Sequence, residues 1–297
     1  MNKIVIITGL TASGKSKLAL QIAKDFNGEI ISADSVQIYK NLNIGSAKDP
    51  VEAREGIEHY LIDIKDPTET YNVNDFLEDC SSAINTIVNK GKLPIIVGGT
   101  GMYIKALLEG YTLGGSGANK DFRTHYENLA KEKGNITVWN ELNIVNPEQA
   151  KLVHPNNLKR VIRYLEIEKF GNKVEKAETI LKGYNVYAIG IISEREVIYD
   201  KINKRVDVMI NEGLQEEVEN LKNSGISRTM QSVTSIGYRE WFDYFENKID
   251  LQSTINLIKQ HTRNYAKRQL TFLKTIKNLE LLNYEQANIK IRSFLND

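Results

Sequence analysis

The sequence of 297 residues contains one cysteine, Cys80, which excludes internal disulfides and cysteine-built zinc sites. Cys80 falls in an amphipathic helical stretch and reads as a small buried hydrophobe. No apolar run approaches the roughly 20 residues of a membrane span. The first residues read directly as a strand, so no signal peptide is expected and a cytoplasmic protein with no membrane partner fits. Charge of one sign is lacking as well. A net charge of +1 excludes whole-molecule attraction to polyanions, so any nucleic-acid site must be a local patch. There is no internal repeat and no low-complexity tract. What is present, 41% apolar and 26% charged residues, is ordinary for a globular chain. The length suits one large domain or a domain with an insertion.

Against that plain background one motif stands out. Gly9-Leu10-Thr11-Ala12-Ser13-Gly14-Lys15-Ser16 has the spacing G-x-x-x-x-G-K-S. It follows a β-branched run, Lys3 to Thr8, and precedes a helical pattern from Lys15 to Phe26, which is the order a phosphate-cradling loop requires. Backbone N–H groups and the positive helix end meet a phosphate, Lys15 adds a mobile cation, and Ser16 offers a hydroxyl to Mg²⁺.

Further strands are expected at Gly28–Ala33, at Tyr60–Ile64 (weaker), at Pro94–Val97 and at Tyr184–Ile191. Helices are expected at Val73–Asn89, Met102–Leu108, Glu194–Asn211, Leu214–Asn223 and Thr254–Ile276. Alternating strands and helices imply an α/β fold, a P-loop NTPase-like parallel sheet flanked by helices, with ligands at the carboxyl ends of the strands. Composition changes at Thr112–Asn119, a boundary-like stretch rich in glycine. Residues 118–182 then read as a helical insertion, leaving 1–117 and 183–297 as the core with basic helices at its C-terminal end.

Asp34, at the end of the second strand, is the candidate general base; it could instead ligate Mg²⁺, or simply cap the turn that follows. The strand at Pro94–Val97 ends in Gly98-Gly99-Thr100 without an acid, so the metal carboxylate of a nucleotide hydrolase is missing there. Arg195, Lys201, Lys204 and Arg205 share a helix, where an arginine fork suits a diphosphate and a solvated face would suit the same residues. From Lys259 to Lys277 there are six Lys/Arg and no acid. Lys259, Arg263 and Lys267 recur every fourth residue, with Tyr265 and Phe272 among them. A second basic run is Lys159-Arg160-Val161-Ile162-Arg163. Two such patches on a near-neutral chain favour nucleic acid over a solvated face.

Taken together, these stretches resemble the bacterial tRNA dimethylallyltransferase family (the MiaA family, also called tRNA isopentenyltransferases). The resemblance rests on the phosphate loop, Ile31–Tyr39, Ile44–Lys48, His59–Asp63, Gly98–Tyr103, Ile202–Asp207, Gly213–Val218, Ser235–Glu240 and Ala266–Gln269, in order along nearly the whole chain. It implies transfer of a dimethylallyl group from dimethylallyl diphosphate to N6 of the adenine just 3′ of the anticodon in tRNA. By the same resemblance Gly9 to Ser16 would hold the leaving diphosphate with Mg²⁺, Asp34 would take the proton, and Thr100 and Arg205 would bind diphosphate oxygens. Asp34, Ser35, Val36, Gln37, Thr100, Arg123, Lys159 to Arg163, Thr234, Ser235, Ile236, Gly237, Tyr238, Arg239, Lys267, Arg268, Gln269 and Lys274 would line the tRNA channel, and a monomer is expected. Leu10 stands where the family usually has Pro, Glu58 where Pro is common, and Tyr60 replaces the second residue of a usual His-His pair. The competing readings are a P-loop small-molecule kinase, an adenylate isopentenyltransferase and a non-catalytic RNA-binding protein.

Overall fold

In the computed structural model, residues 1–110, 119–171 and 178–297 are described. The boundary-like run at 112–118 lies outside them. Among the described residues six strands form one sheet: β1 (Lys3–Gly9), β2 (Gly28–Ser32), β3 (His59–Tyr60), β4 (Leu93–Val97), β5 (Asn185–Ile191) and β6 (Glu280–Leu282). Their order is β3-β2-β4-β1-β5-β6, and every pairing is parallel. Parallel strands are covered on both faces, which is why β1 carries four successive β-branched residues, Ile4 to Ile7, all fully buried.

The helices follow in order: α1 (Lys15–Asp25), α2 (Val73–Asn89), α3 (Gly101–Glu109), α4 (Lys120–Lys133), α5 (Asn135–Val145), α6 (Pro147–Lys151), α7 (Leu158–Phe170), α8 (Arg195–Asn211), α9 (Leu214–Asn223), α10 (Arg239–Phe245), α11 (Leu251–Leu273) and α12 (Tyr284–Asn296). One core layer joins Val5, Ile7, Ile95 and Ile189 of the sheet to Leu18 and Ile22 of α1 and Ile291 of α12. Helix α2 starts with a capping box, in which Asn72 and Asp75 exchange side-chain and backbone hydrogen bonds. It buries Phe76, Cys80, Ile84 and Ile87 at helical spacing.

The chain divides into two compact units, one of residues Met1–Glu109 and Thr179–Asp297, the other of Gly110–Glu178. The smaller unit holds α4 to α7 around Val138, Leu142, Val161 and Leu165. Among its described residues the fully buried acid is Glu166, which accepts from Arg123 Nε (3.0 Å) and Nη2 (2.7 Å), from Arg163 Nη1 (2.6 Å) and from the Asn119 N–H (2.7 Å). A carboxylate held that way stays ionised, and its pKa is lowered despite burial by the hydrogen bonds from Arg123 and Arg163.

Two expectations need correction. The strand expected over Tyr60–Ile64 is confined to His59–Tyr60, because Leu61 and Asp63 adopt φ of 61° and 56° and turn the chain out of the sheet. Helix α11, expected over Thr254–Ile276, runs Leu251–Leu273: it starts three residues earlier because Asp250 caps it by accepting from Ser253 N–H at 2.6 Å, and it ends three residues earlier at the Lys274 cap.

Candidate active site

The carboxyl ends of β1, β2 and β4 open on one cavity of about 400 Å³, the location that a parallel sheet reserves for ligands. Its wall includes Thr11, Lys15 and Ser16 of the phosphate loop, Asp34 to Gln37 after β2, and Gly98 and Thr100 after β4. Arg205 of α8, Gly45 to Ala47, Thr234 to Gly237, Arg239, and Tyr265 and Arg268 of α11 also line it. Of the four cations considered on α8, Arg205 alone is in this wall; Lys204 is exposed and pairs with Asp200, and Arg195 lies over the Tyr199 ring.

The phosphate loop is shaped by local geometry. Gly14 sits at φ 87°, a left-handed conformation that opens α1 and favours glycine. Leu10 is buried against Ile198, Ile202 and Ala266, and its N–H donates to Ile191 O at 3.1 Å. Proline could not make that bond, so leucine here ties the loop to β5. The Ser13 hydroxyl is buried with no hydrogen-bond partner, and Lys15 Nζ donates to Leu10 O at 3.2 Å. Burial, reinforced by the Arg205 charge and opposed by Asp34, pulls the Lys15 pKa from 10.5 to about 8. Burial also lowers the Arg205 pKa, against the attraction of Asp49 and Asp34.

Asp34 does cap its turn: Oδ1 accepts from the N–H of Val36 (2.9 Å) and Gln37 (3.3 Å). That fixes the carboxyl plane while the residue still faces the cavity, so capping and proton acceptance are compatible. The Thr100 hydroxyl accepts from Ser35 N–H at 3.0 Å and lies 3.3 Å from Ser35 Oγ, joining the loops after β2 and β4. Tyr238 is fully buried and points its hydroxyl at Glu217, outside the cavity wall, whereas its neighbours Gly237 and Arg239 line it.

Several residues build the site in roles the sequence does not signal. Gln269, which the resemblance puts in the tRNA channel, is buried on α11, accepts from Thr11 N–H at 2.8 Å and donates through Nε2 to Gly99 O at 2.9 Å. One amide thus fastens the phosphate loop to the glycine turn after β4. Glu240 accepts from Gly237 N–H and Arg239 Nε, both at 2.9 Å, and faces His261 Nδ1 at 2.7 Å. On α11, Lys259 pairs with Asp207 and Arg263 donates to Asn203 of α8, so the first half of the basic stripe holds two helices together. Lys267, Arg268 and Lys274 are exposed. In the smaller unit, Val161 and Ile162 are buried in the core, and Lys159 and Arg160 are exposed. The Tyr60 hydroxyl donates to Glu29 at 2.8 Å and accepts from Lys90 at 2.7 Å, which explains a tyrosine at that position.

Among the described residues no group of three His, Cys, Asp or Glu side chains could hold a metal ion, and no helix is long and apolar enough to cross a membrane.

Residues 37–276 match the family model described as IPP transferase. A tRNA dimethylallyltransferase of Bacillus cereus is 44% identical over 98% of this chain and 96% of its own length. Among solved structures, a tRNA isopentenylpyrophosphate transferase of Bacillus halodurans is 40% identical with a TM-score of 0.73, covering all of this chain and 96% of that one. A eukaryotic dimethylallyltransferase acting on tRNA is 28% identical with a TM-score of 0.79, covering 99% of this chain and 78% of that one.

Proposed function

This chain belongs to the IPP transferase family, and from that premise we propose how its cavity works and on which atom. The protein transfers a dimethylallyl group to tRNA. We take the donor to be dimethylallyl diphosphate and the acceptor to be N6 of the adenosine 3′ of the anticodon. The observation that carries this reading is that Lys15, Ser16, Asp34, Thr100 and Arg205 all line one cavity.

In the reaction, N6 attacks C1 of the dimethylallyl group as the C1–O bond breaks, diphosphate departs, and the amine proton passes to Asp34. An exocyclic amine is a poor nucleophile, so a carboxylate held in a fixed plane by two backbone N–H groups helps as bonding develops. An allylic carbon bears positive charge readily, so the protein's main task is on the leaving group. Lys15, Arg205 and the backbone N–H groups of the phosphate loop oppose the charge that grows there.

A divalent cation fits the donor set, since Ser16 and Asp34 supply hard oxygens of the kind Mg²⁺ takes together with substrate phosphates. Two such groups do not make a closed protein site, in keeping with an ion that arrives on the diphosphate. When bound, it would neutralise charge on the leaving group. The acceptor base must leave its stack to enter the cavity, and an anticodon loop is a cheaper place to extrude a base than a duplex. Exposed Lys159 and Arg160 of the smaller unit, and Lys267, Arg268 and Lys274 on or just after α11, would hold the RNA backbone. Arg123 and Arg163 serve first to neutralise Glu166. We take the protein to act as a monomer.

The test is single-turnover transfer to an anticodon stem-loop. Asp34→Ala should slow the chemical step by roughly 10²-fold or more while RNA binding stays close to wild type. A wild-type rate in that variant would remove Asp34 as the base.

A further inference from the structure

We propose that Glu217 of α9, which lies outside the cavity, is a positioning residue for the transfer, holding in place the wall that carries Asp34. The proposal rests on the reading of Asp34 and the acceptor base given above.

Glu217 spends both carboxylate oxygens on cavity loops. Its Oε2 accepts from the N–H of Asn43 (2.9 Å) and Ile44 (2.8 Å), and its Oε1 accepts from the N–H of Gly45 (3.1 Å) and the hydroxyl of Tyr238 (2.8 Å). Three successive N–H groups converging on one anion form a nest, a geometry that otherwise captures phosphate or carboxylate ligands. Here the chain fills the nest with its own side chain.

The loops held this way are part of the site. Gly45, Ser46 and Ala47 line the cavity, as do Thr234 to Gly237 beside Tyr238. The two loops also touch: a Cβ on Gly45 would fall 2.5 Å from the Tyr238 ring, and one on Gly237 would fall 3.4 Å from Gly45 O. From there the connection runs to the base. Gln37 Nε2 donates to Ser46 O and Ala47 O, each at 3.3 Å, and Gln37 N–H donates to Asp34 Oδ1 at 3.3 Å. Glu217, loop 43–47, Gln37 and Asp34 therefore form one continuous chain of contacts. Helix α9 does not need this carboxylate to stay docked, since Leu214, Val218 and Leu221 bury its apolar face. The phosphate loop is fastened separately, through Ile191 and Gln269.

Removing the carboxylate should therefore displace Asp34 and the acceptor wall while sparing the diphosphate grip. A displacement on the order of 1 Å can cost about 10²-fold in rate. Glu217→Ala should thus lower the single-turnover rate roughly 10- to 100-fold at saturating donor and stem-loop, with donor affinity within about twofold of wild type. Added acetate, refilling the nest, should recover part of the rate. A residue that only stabilised the fold would show no such recovery. A wild-type rate in Glu217→Ala would overturn the proposal, and so would a slow rate that acetate leaves unchanged. If Glu217→Ala does not fold, Glu217→Gln decides. An amide keeps the size but can accept on one oxygen only, so a slow rate supports the proposal and a wild-type rate rejects it. Failure of the wild-type protein to modify the stem-loop would count against the functional reading instead. The clamp itself would then be judged by hydrogen exchange, where faster exchange at Asn43, Ile44 and Gly45 in Glu217→Ala supports it and unchanged exchange refutes it.

Discussion

The buried cation of the phosphate loop should make donor binding depend on pH in a way no surface lysine would. Lys15 has its pKa lowered from 10.5 to about 8 by burial and by Arg205, so its ammonium is largely present at pH 7 and largely lost at pH 9. A diphosphate brought against it favours the charged form and raises its pKa. Donor affinity is therefore highest below about pH 8 and falls as pH climbs through that value. With a pKa of about 8 the protonated fraction drops about tenfold from pH 7 to pH 9, and affinity should fall by a similar factor. The donor contributes little slope of its own, because a terminal phosphate loses its last proton near pH 6. Calorimetric titration with dimethylallyl diphosphate, without tRNA and in two buffers of different ionisation enthalpy, should show uptake of about half a proton at pH 8. Lys15→Arg should bind with little pH dependence over the same range, since a guanidinium does not titrate there. The folding linkage runs the other way. Between about pH 8 and 10.5 the unfolded chain holds more protons at this lysine, so its contribution to the stability of the free protein rises with pH while donor affinity falls. An affinity that stays flat from pH 7 to 9, or an equal slope in Lys15→Arg, would refute the reasoning.

Other perturbations follow from the same geometry. Gln269→Ala should leave Thr11 N–H unpaired and Gly99 O with the Tyr265 hydroxyl at 3.2 Å, destabilising the protein by about 1–2 kcal/mol in denaturant titrations, and it should raise the KM for the donor. Gln269→Glu would keep the Thr11 bond but set a carboxylate oxygen against Gly99 O, so it should be no more active than Gln269→Ala. Lys267→Ala combined with Arg268→Ala should weaken stem-loop binding and flatten its salt dependence by about one to two units of slope. An unchanged slope would place those charges on a solvated face.

Much of the catalytic half of the fold was legible because its signals are local. A β-branched run, a glycine-lysine-serine turn and an amphipathic helix sit within the first 26 residues, and the same logic located β2 with Asp34 and β4 with its glycine turn. Periodicity read α2 to the residue because its capping box and apolar face agree. Short or late elements left little trace. The three residues of β6 alternate no pattern, and β3 ends after two residues because of backbone conformations at Leu61 and Asp63 that their identities do not advertise. Positioning residues were hidden for a different reason. Gln269 meets Thr11 across 258 positions, and Glu217 meets Asn43 across 174. Gln269 is expected in the tRNA channel and Glu217 only as part of a matching stretch, because neither internal partner is visible along the sequence. The basic runs looked richer than they are for the same reason, since Lys259, Arg263 and Arg123 already serve Asp207, Asn203 and Glu166. Charge counted along a sequence overstates charge presented at a surface.

The central claim is that this cavity moves a dimethylallyl group onto one particular nitrogen of one particular nucleotide. It is tested most directly by digesting an anticodon stem-loop after incubation with the protein, Mg²⁺ and dimethylallyl diphosphate, and mapping the product by mass spectrometry. The expected product is a dimethylallyl group on N6 of the adenosine 3′ of the anticodon, formed by the wild-type protein and strongly reduced with Asp34→Ala. Modification at another position, or preferential modification of free AMP, would contradict the account.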